Sequence, residues 1–298
     1  MKRNLFTGVG TALVTPFQKN GRLDWDALGT LIEMQVSDKI RFLVPCGTTG
    51  ESPTLSHYEH NEVVGFTVKR TAGRIPVLAG TGSNSTAEAI SLTEAAKLSG
   101  ADGALVVTPY YNKPTQKGLL LHYRELAKIG LPIVLYDIPG RCGGQGASAA
   151  TILELAHEGT ICGLKWASGN LDQLQEVLSN RPAGFTVLSG DDNLTYLAMC
   201  LGADGVISVL SNLLAKQVEH LVFWAEQHQW PAARSQHFEL LKIMQAMFIE
   251  TNPIPVKTAL AMVYPKIFQE IFRPPLCEME EANKEKLEKV LRGYGLFN

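Results

Sequence analysis

The sequence has no surplus of either charge. Its 27 Lys and Arg stand against 29 Asp and Glu, a net charge of -2, and basic residues do not cluster beyond pairs. That removes the electrostatic case for nucleic acid or an anionic membrane as partner. Cysteine is scarce and unpatterned. Cys46, Cys142, Cys162, Cys200 and Cys277 are odd in number, widely spaced and form no C-x-x-C, so reduced thiols in the cytoplasm are the expected state. Long apolar runs are missing too. Nothing approaches the roughly 20 residues that span a bilayer, and the N-terminal stretch is interrupted by Thr7, Gly8, Gly10 and Pro16, which argues against a signal peptide.

What the chain does have is a series of short apolar, β-rich runs. They fall at 8–17, 41–47, 75–82, 104–111, 132–139, 161–168, 185–192 and 205–211. Most are nearly continuous in apolar residues, as parallel strands covered on both faces should be. Helical patterns lie between most of them: Leu28, Leu31, Ile32, Gln35 and Val36 keep a 3.6-residue period, and Ser56 with Glu59, like Ser85 with Glu88, has the spacing of a capping box. Eight strands alternating with helices predict an α/β fold, a (β/α)8 TIM barrel.

The fragment Gly-Ala-Asp-Gly occurs twice, at 100–103 before the fourth run and at 202–205 before the eighth. This fits a barrel whose halves resemble each other, or simply two tight helix-to-strand turns. After about residue 224 the β pattern stops. The expected division is a catalytic barrel over residues 1–228 and a C-terminal helical appendage over 229–298, its helices broken by Pro253, Pro255, Pro265, Pro274 and Pro275.

Lys165 is the residue that sequence logic explains least easily. It sits in the apolar run T-I-C-G-L-K-W-A-S-G-N, 160–170. A lysine there is either structural, with its stem packed and its tip in water, or it is held where desolvation strips its proton and makes it a nucleophile. In a (β/α)8 barrel the site lies at the C-terminal strand ends. By that rule Lys165 would share one mouth with Thr48, Thr49, Tyr110, Tyr111, Tyr136 and Arg141, and with Gly190-Asp191-Asp192. A tyrosine can shuttle protons to an amine, a Gly-flanked Thr-Thr turn can hold a carboxylate, and an arginine can grip a second carboxylate in a fork.

The motifs G-T-T-G-E-S (47–52), T-P-Y-Y-N-K-P (108–114), L-Y-D-I-P-G-R (135–141) and G-L-K (163–165) resemble the dihydrodipicolinate synthase family of pyruvate-dependent aldolases. The similarity runs from T-G-V-G-T-A-L-V-T-P-F to N-P-I-P-V-K. The resemblance implies a Schiff base between pyruvate and Lys165, with Tyr136 as general acid/base. Thr48 and Tyr111 would complete a proton relay, Tyr111 reaching across from a neighbouring subunit. It implies that Thr49, Gly190 and the Ile207 carbonyl line the pyruvate pocket, and that Arg141 binds the carboxylate of L-aspartate 4-semialdehyde. No metal and no organic cofactor are implied. The assembly implied is a homotetramer, a dimer of tight dimers.

The resemblance also implies an L-lysine effector site at Ser52, Pro53, His57, His60, Asn84, Glu88 and Tyr110. The chain departs from the family's pattern at Asp137, where Asn is usual, at Trp166, and at Gly144-Gln145-Gly146. These positions bear on rate and substrate tolerance. Two other readings stay open on the residues alone: a lyase for N-acetylneuraminate or a 2-keto-3-deoxy sugar acid, and a non-catalytic barrel that senses lysine or a keto acid. A pyridoxal phosphate enzyme would also use a lysine, but no phosphate-cradling loop follows the last two runs.

Overall fold

The structure, a computed structural model, describes residues 5–297. Eight strands lie parallel: β1 (Gly8–Ala12), β2 (Phe42–Val44), β3 (Leu78–Gly80), β4 (Gly103–Val107), β5 (Ile133–Asp137), β6 (Gly163–Trp166), β7 (Thr186–Ser189) and β8 (Gly205–Ser208). Hydrogen bonding runs in the order β2-β1-β8-β7-β6-β5-β4-β3. The ring closes between β2 and β3 through the parallel bridge Leu43↔Val77 and the bond from Gly80 N–H to the Pro45 carbonyl. Helices α1 (Trp25–Ser37), α2 (His57–Thr71), α3 (Thr86–Leu98), α4 (Gln116–Ala127), α5 (Ala149–His157), α6 (Leu171–Asn180), α7 (Thr195–Cys200) and α8 (Ser211–Glu226) follow the strands in turn. The expected (β/α)8 TIM barrel is what forms.

Each strand falls inside its predicted run except β4, which starts one residue early at Gly103, and each is shorter than its run. The run at 41–47 has three residues in β2, because the chain past Val44 leaves the sheet to build the mouth. Side chains alternate across each strand. Phe6, Ala12, Phe42, Val44, Leu78, Leu105, Val134, Tyr136, Leu188 and Ile207 pack together as the barrel interior. Leu43, Leu135, Leu164, Trp166 and Val187 pack outward on the helices. Gly10 is required here, because a Cβ would lie 2.1 Å from the Phe42 ring that fills the centre.

The repeated Gly-Ala-Asp-Gly fragments do the same work in both halves. Asp102 accepts from Val77 N–H at 2.9 Å, and Asp204 accepts from Val187 N–H at 2.8 Å, so each closes the start of the preceding strand. The capping-box reading holds once out of twice. Ser56 and Glu59 cap α2 reciprocally. Ser85 caps α3, but Glu88 turns its carboxylate away to Ser83 and His57.

Three further helices follow: α9 (Trp230–Ala246), α10 (Ile254–Val263) and α11 (Glu281–Gly293). Pro255 does not break α10. It occupies the second position, where the missing N–H has no helical partner to lose. α9 packs along α8, and α10 and α11 pack on α8 and α9. Among the described residues no helix is long and apolar enough to cross a membrane.

Candidate active site

Strand register brings the first two groups together. Tyr136 on β5 pairs with Lys165 on β6, and both face the barrel axis. The Lys165 Nζ lies 4.0 Å from the centre of the Tyr136 ring. Lys165 is 6% exposed and Tyr136 7%. Gly190, just past β7, is the clearance for the lysine stem: a Cβ there would stand 3.1 Å from Lys165 Cε and 2.6 Å from the Ala167 Cβ.

Burial sets the charges. Desolvation pulls the Lys165 ammonium down to about 8, while the Asp191 and Asp192 carboxylates hold it up. Burial raises Asp191 to about 6, against the pull of Lys165. The Tyr136 phenol is pushed well above its ordinary value by burial and by the Asp191 charge, and the Arg141 guanidinium and a hydrogen bond from the Thr48 hydroxyl oppose that. Asp192 lies deeper. Its Oδ2 accepts from Val209 N–H at 3.0 Å and Leu210 N–H at 2.9 Å, which anchors the β8 end of the mouth.

The Gly47–Ser52 turn carries Thr48 and Thr49. It is held by bonds from Gly50 N–H to the Gly47 carbonyl and from Glu51 N–H to the Thr48 carbonyl, both 3.1 Å. A small cavity of about 40 Å³ is lined by Thr48, Thr49, Tyr136, Arg141, Lys165 and Gly190, among others. An outer chamber of about 210 Å³ shares Thr48, Tyr136 and Arg141 with it and continues to Ser52, Pro53 and Tyr110. The inner space abuts Lys165, and the outer chamber gives reactants an approach to it.

The expectation for Ile207 concerns its backbone carbonyl; its side chain packs in the buried barrel interior. Tyr111 does not point into the mouth with the other tyrosines. It is 89% exposed, with a left-handed φ of 70°, so it is turned outward at the loop tip. The residues expected of an effector site cluster in part. His57 meets Glu88 at 2.7 Å, the buried His60 bonds the Gly80 carbonyl at 2.8 Å, Ser52, Pro53 and Tyr110 line the outer chamber, and the Asn84 carbonyl accepts from Asn112. Among the described residues no three His, Cys, Asp or Glu side chains are arranged to hold a metal ion.

Sequence reasoning missed the contribution of the last helices. Asn252, just before α10, donates from Nδ2 to the Thr49 hydroxyl at 3.0 Å, and its carbonyl accepts from Arg141 at 3.3 Å. It also lines the inner cavity with Phe248. Lys257 on α10 makes a buried ion pair with Glu51. The N-P-I-P-V-K motif was the available signal, but nothing in its spacing says that it reaches the barrel mouth. The departures from the family's pattern do not touch the cavity. Asp137 and Trp166 both face the helical layer and are fully buried there.

Comparison with known proteins agrees with this geometry. The profile of the Dihydrodipicolinate synthetase family matches residues 5–293. A 4-hydroxy-tetrahydrodipicolinate synthase of Thermodesulfovibrio yellowstonii is 50% identical over 296 residues, 98% of this chain and 100% of the relative. The crystal structure of the Aquifex aeolicus dihydrodipicolinate synthase superposes with a TM-score of 0.95 at 47% identity, covering 98% of this chain and 99% of that one. Two further solved structures are informative for their ligands. One is the Acinetobacter baumannii enzyme complexed with pyruvate, with a TM-score of 0.94 at 39% identity over 98% and 99% of the two chains. The other is the Cyanidioschyzon merolae enzyme with lysine bound, with a TM-score of 0.95 at 35% identity over 99% and 100%. With a family match across nearly its whole length and a relative of half-identical sequence, this chain belongs to the dihydrodipicolinate synthetase family.

Proposed function

We infer that the protein is a 4-hydroxy-tetrahydrodipicolinate synthase, a lyase of the diaminopimelate route to lysine that condenses pyruvate with L-aspartate 4-semialdehyde. The observation that carries this is Lys165: a buried amine in register with Tyr136, beside a cavity lined by Thr48, Thr49 and Arg141, in a chain half-identical to a synthase. The pyruvate complex of a relative supports the first substrate. The relatives' names support neither the sugar-acid lyase nor the sensor.

The chemistry follows from the groups present. The neutral Lys165 amine attacks the ketone of pyruvate, and the carbinolamine loses water to give an imine. Tyr136, which lines the inner cavity together with Thr48 and Lys165, is placed to pass the protons of those steps. Loss of a methyl proton leaves an enamine, which adds to the aldehyde carbon of the second substrate. That substrate's amine then closes on the imine carbon and releases Lys165. Thr49 would hold the pyruvate carboxylate beside Gly190 and the Ile207 carbonyl, and Arg141 would take the carboxylate of the semialdehyde. No organic cofactor enters these steps.

Tyr111, outward and exposed, suits a residue that completes the relay of a second subunit, in a homotetramer built as a dimer of dimers. L-lysine is the effector proposed for the Ser52, Pro53, His57, His60, Asn84, Glu88 and Tyr110 region, supported by the lysine-bound relative and by the Glu88 carboxylate available to an ammonium. Five free cysteines suit the cytoplasm. We assign residues 1–228 to the catalytic barrel and 229–298 to a helical domain that braces its mouth.

The test is to incubate the protein with pyruvate and borohydride, weigh it intact and map the peptide. A reduced pyruvyl adduct on Lys165, followed by turnover with the semialdehyde, is the expected result. A folded protein with no adduct would overturn the reading.

A further inference from the structure

The synthase reading gives Arg141 a carboxylate to hold, but it leaves open what holds Arg141. Its loop, residues 138–147, contains Gly140, Gly143, Gly144 and Gly146, and Gly143 and Gly144 take left-handed φ angles of 68° and 80°. Such a segment is soft unless fastened. The arginine's own tether is one bond to the Asn252 carbonyl.

Beside the arginine, the buried Cys142 thiol donates to the Thr108 carbonyl at 3.1 Å; the far end of the loop is fastened on the opposite side of β5 from the active site. Tyr136 faces inward, and the next residue, Asp137, faces outward and is fully buried. Asp137 Oδ1 accepts from Ala147 N–H at 2.9 Å. Its Oδ2 accepts from Gln173 Nε2 at 2.9 Å. The same Gln173 amide donates to the Ala147 carbonyl at 2.6 Å, and Ser168 Oγ donates to Gln173 Oε1 at 2.6 Å, which fixes the amide's orientation. Both backbone groups of Ala147 are therefore clamped. Gly146 lies flat against the carboxylate, since a Cβ there would stand 2.4 Å from Oδ1. Gln116 of α4 fastens the same stretch at Gly146 and Ser148, but those bonds are exposed, and buried bonds to an ionised acceptor are the stronger kind.

We propose that Asp137 is a positioning residue for Arg141, closing from behind the loop that carries the arginine to the mouth. One strand end thus serves the site on both faces: Tyr136 toward the chemistry, Asp137 toward the loop that selects the second substrate. The role rests on the synthase reading for what Arg141 binds. The clamp itself does not.

Asp137→Ala tests it by removing both acceptors, leaving Ala147 N–H and the Gln173 amide without the carboxylate they share. Loss of these bonds predicts a rise of about ten-fold in KM for the semialdehyde, with KM for pyruvate and the rate of borohydride trapping at Lys165 unchanged. Gly146→Ala, pushing from the other side of the contact, should give the same split.

Two readouts separate positioning from general support. In an Arg141→Ala background the Asp137→Ala effect on KM should vanish, because the two act as one unit. Amide exchange in the 138–147 peptide should rise in Asp137→Ala irrespective of turnover. A rise in both KM values, an equal penalty with and without Arg141, or unchanged exchange in the loop would each overturn the proposal. A wild-type protein that traps pyruvate but does not condense it with the semialdehyde would instead overturn the synthase reading, and loop exchange would still report on the clamp.

Discussion

The Lys257–Glu51 pair offers the largest single-residue effect on stability outside the core. Glu51 ends the turn that bears Thr48 and Thr49, in a left-handed conformation with φ 54°. Lys257 comes from α10, more than two hundred residues away in sequence. Glu51 is 1% exposed and Lys257 3%. The ammonium sits 4.4 Å from the centre of the Phe17 ring and 4.9 Å from that of Phe272. The surface pairs, such as Arg124–Glu158 and Arg292–Glu288, are exposed and each contributes about 0–1 kcal/mol. The buried pair differs in kind. Replacing Lys257 by Met keeps the stem's packing but strands the Glu51 charge, whose remaining partner is the Arg273 N–H at 3.5 Å.

Breaking one side of a buried pair costs about 3–5 kcal/mol. At roughly 2 °C per kcal/mol for a chain of this length, Lys257→Met should lower Tm by roughly 6–10 °C. Glu51→Gln with Lys257→Met leaves no charge uncompensated and should recover most of that loss. The assay is thermal melting by circular dichroism at fixed protein concentration, on both single variants and the double. A fall below about 2 °C for Lys257→Met, or a double variant no more stable than the worse single one, would refute the reasoning.

The pH dependence of trapping follows from Lys165. Held near 8, about a tenth of it is neutral at pH 7, against about 0.04% for a free lysine near 10.4. Since only the neutral amine attacks, the trapping rate should fall about ten-fold per pH unit below 8 and level off above it; a rate still climbing through pH 10 would show that burial does not tune the amine. For the effector region, Glu88→Gln removes the charge that His57 and Ser83 now face, and should raise the lysine concentration for half-inhibition about ten-fold. Inhibition curves that superpose on the wild type would remove Glu88 from the effector site.

Much of this was legible in one dimension because it depends on periodicity and on local turns. A strand covered on both faces must be apolar throughout, so β4, β5 and β6 announce themselves, and an out-of-place Lys165 within β6 is visible for the same reason. The repeated Gly-Ala-Asp-Gly was visible as a pattern. That each aspartate caps the start of the preceding strand was not, because Val77 and Val187 lie far from it along the chain. The Ser85–Glu88 spacing shows the limit of local rules: a capping box satisfies a helix end, but His57 and Ser83 compete for the same carboxylate and win it.

By itself, the sequence determined the number of strands, their parallel character, the lysine that breaks the apolar rule and the family to which the motifs point. Those are short-range properties, readable from what each residue prefers and from its neighbours. Only the tertiary structure decided that Tyr136 and Lys165 share a register, that Tyr111 turns outward, that Asn252 bridges Thr49 and Arg141, and that Lys257 locks the Thr48–Thr49 turn. It also decided that Asp137 and Trp166, though adjacent to site residues, belong to the helical layer, since alternation along a strand sends neighbours to opposite faces. Barrel closure brings residues from eight strand ends and a distant helix to one mouth, and no spacing along the chain encodes which of them will touch.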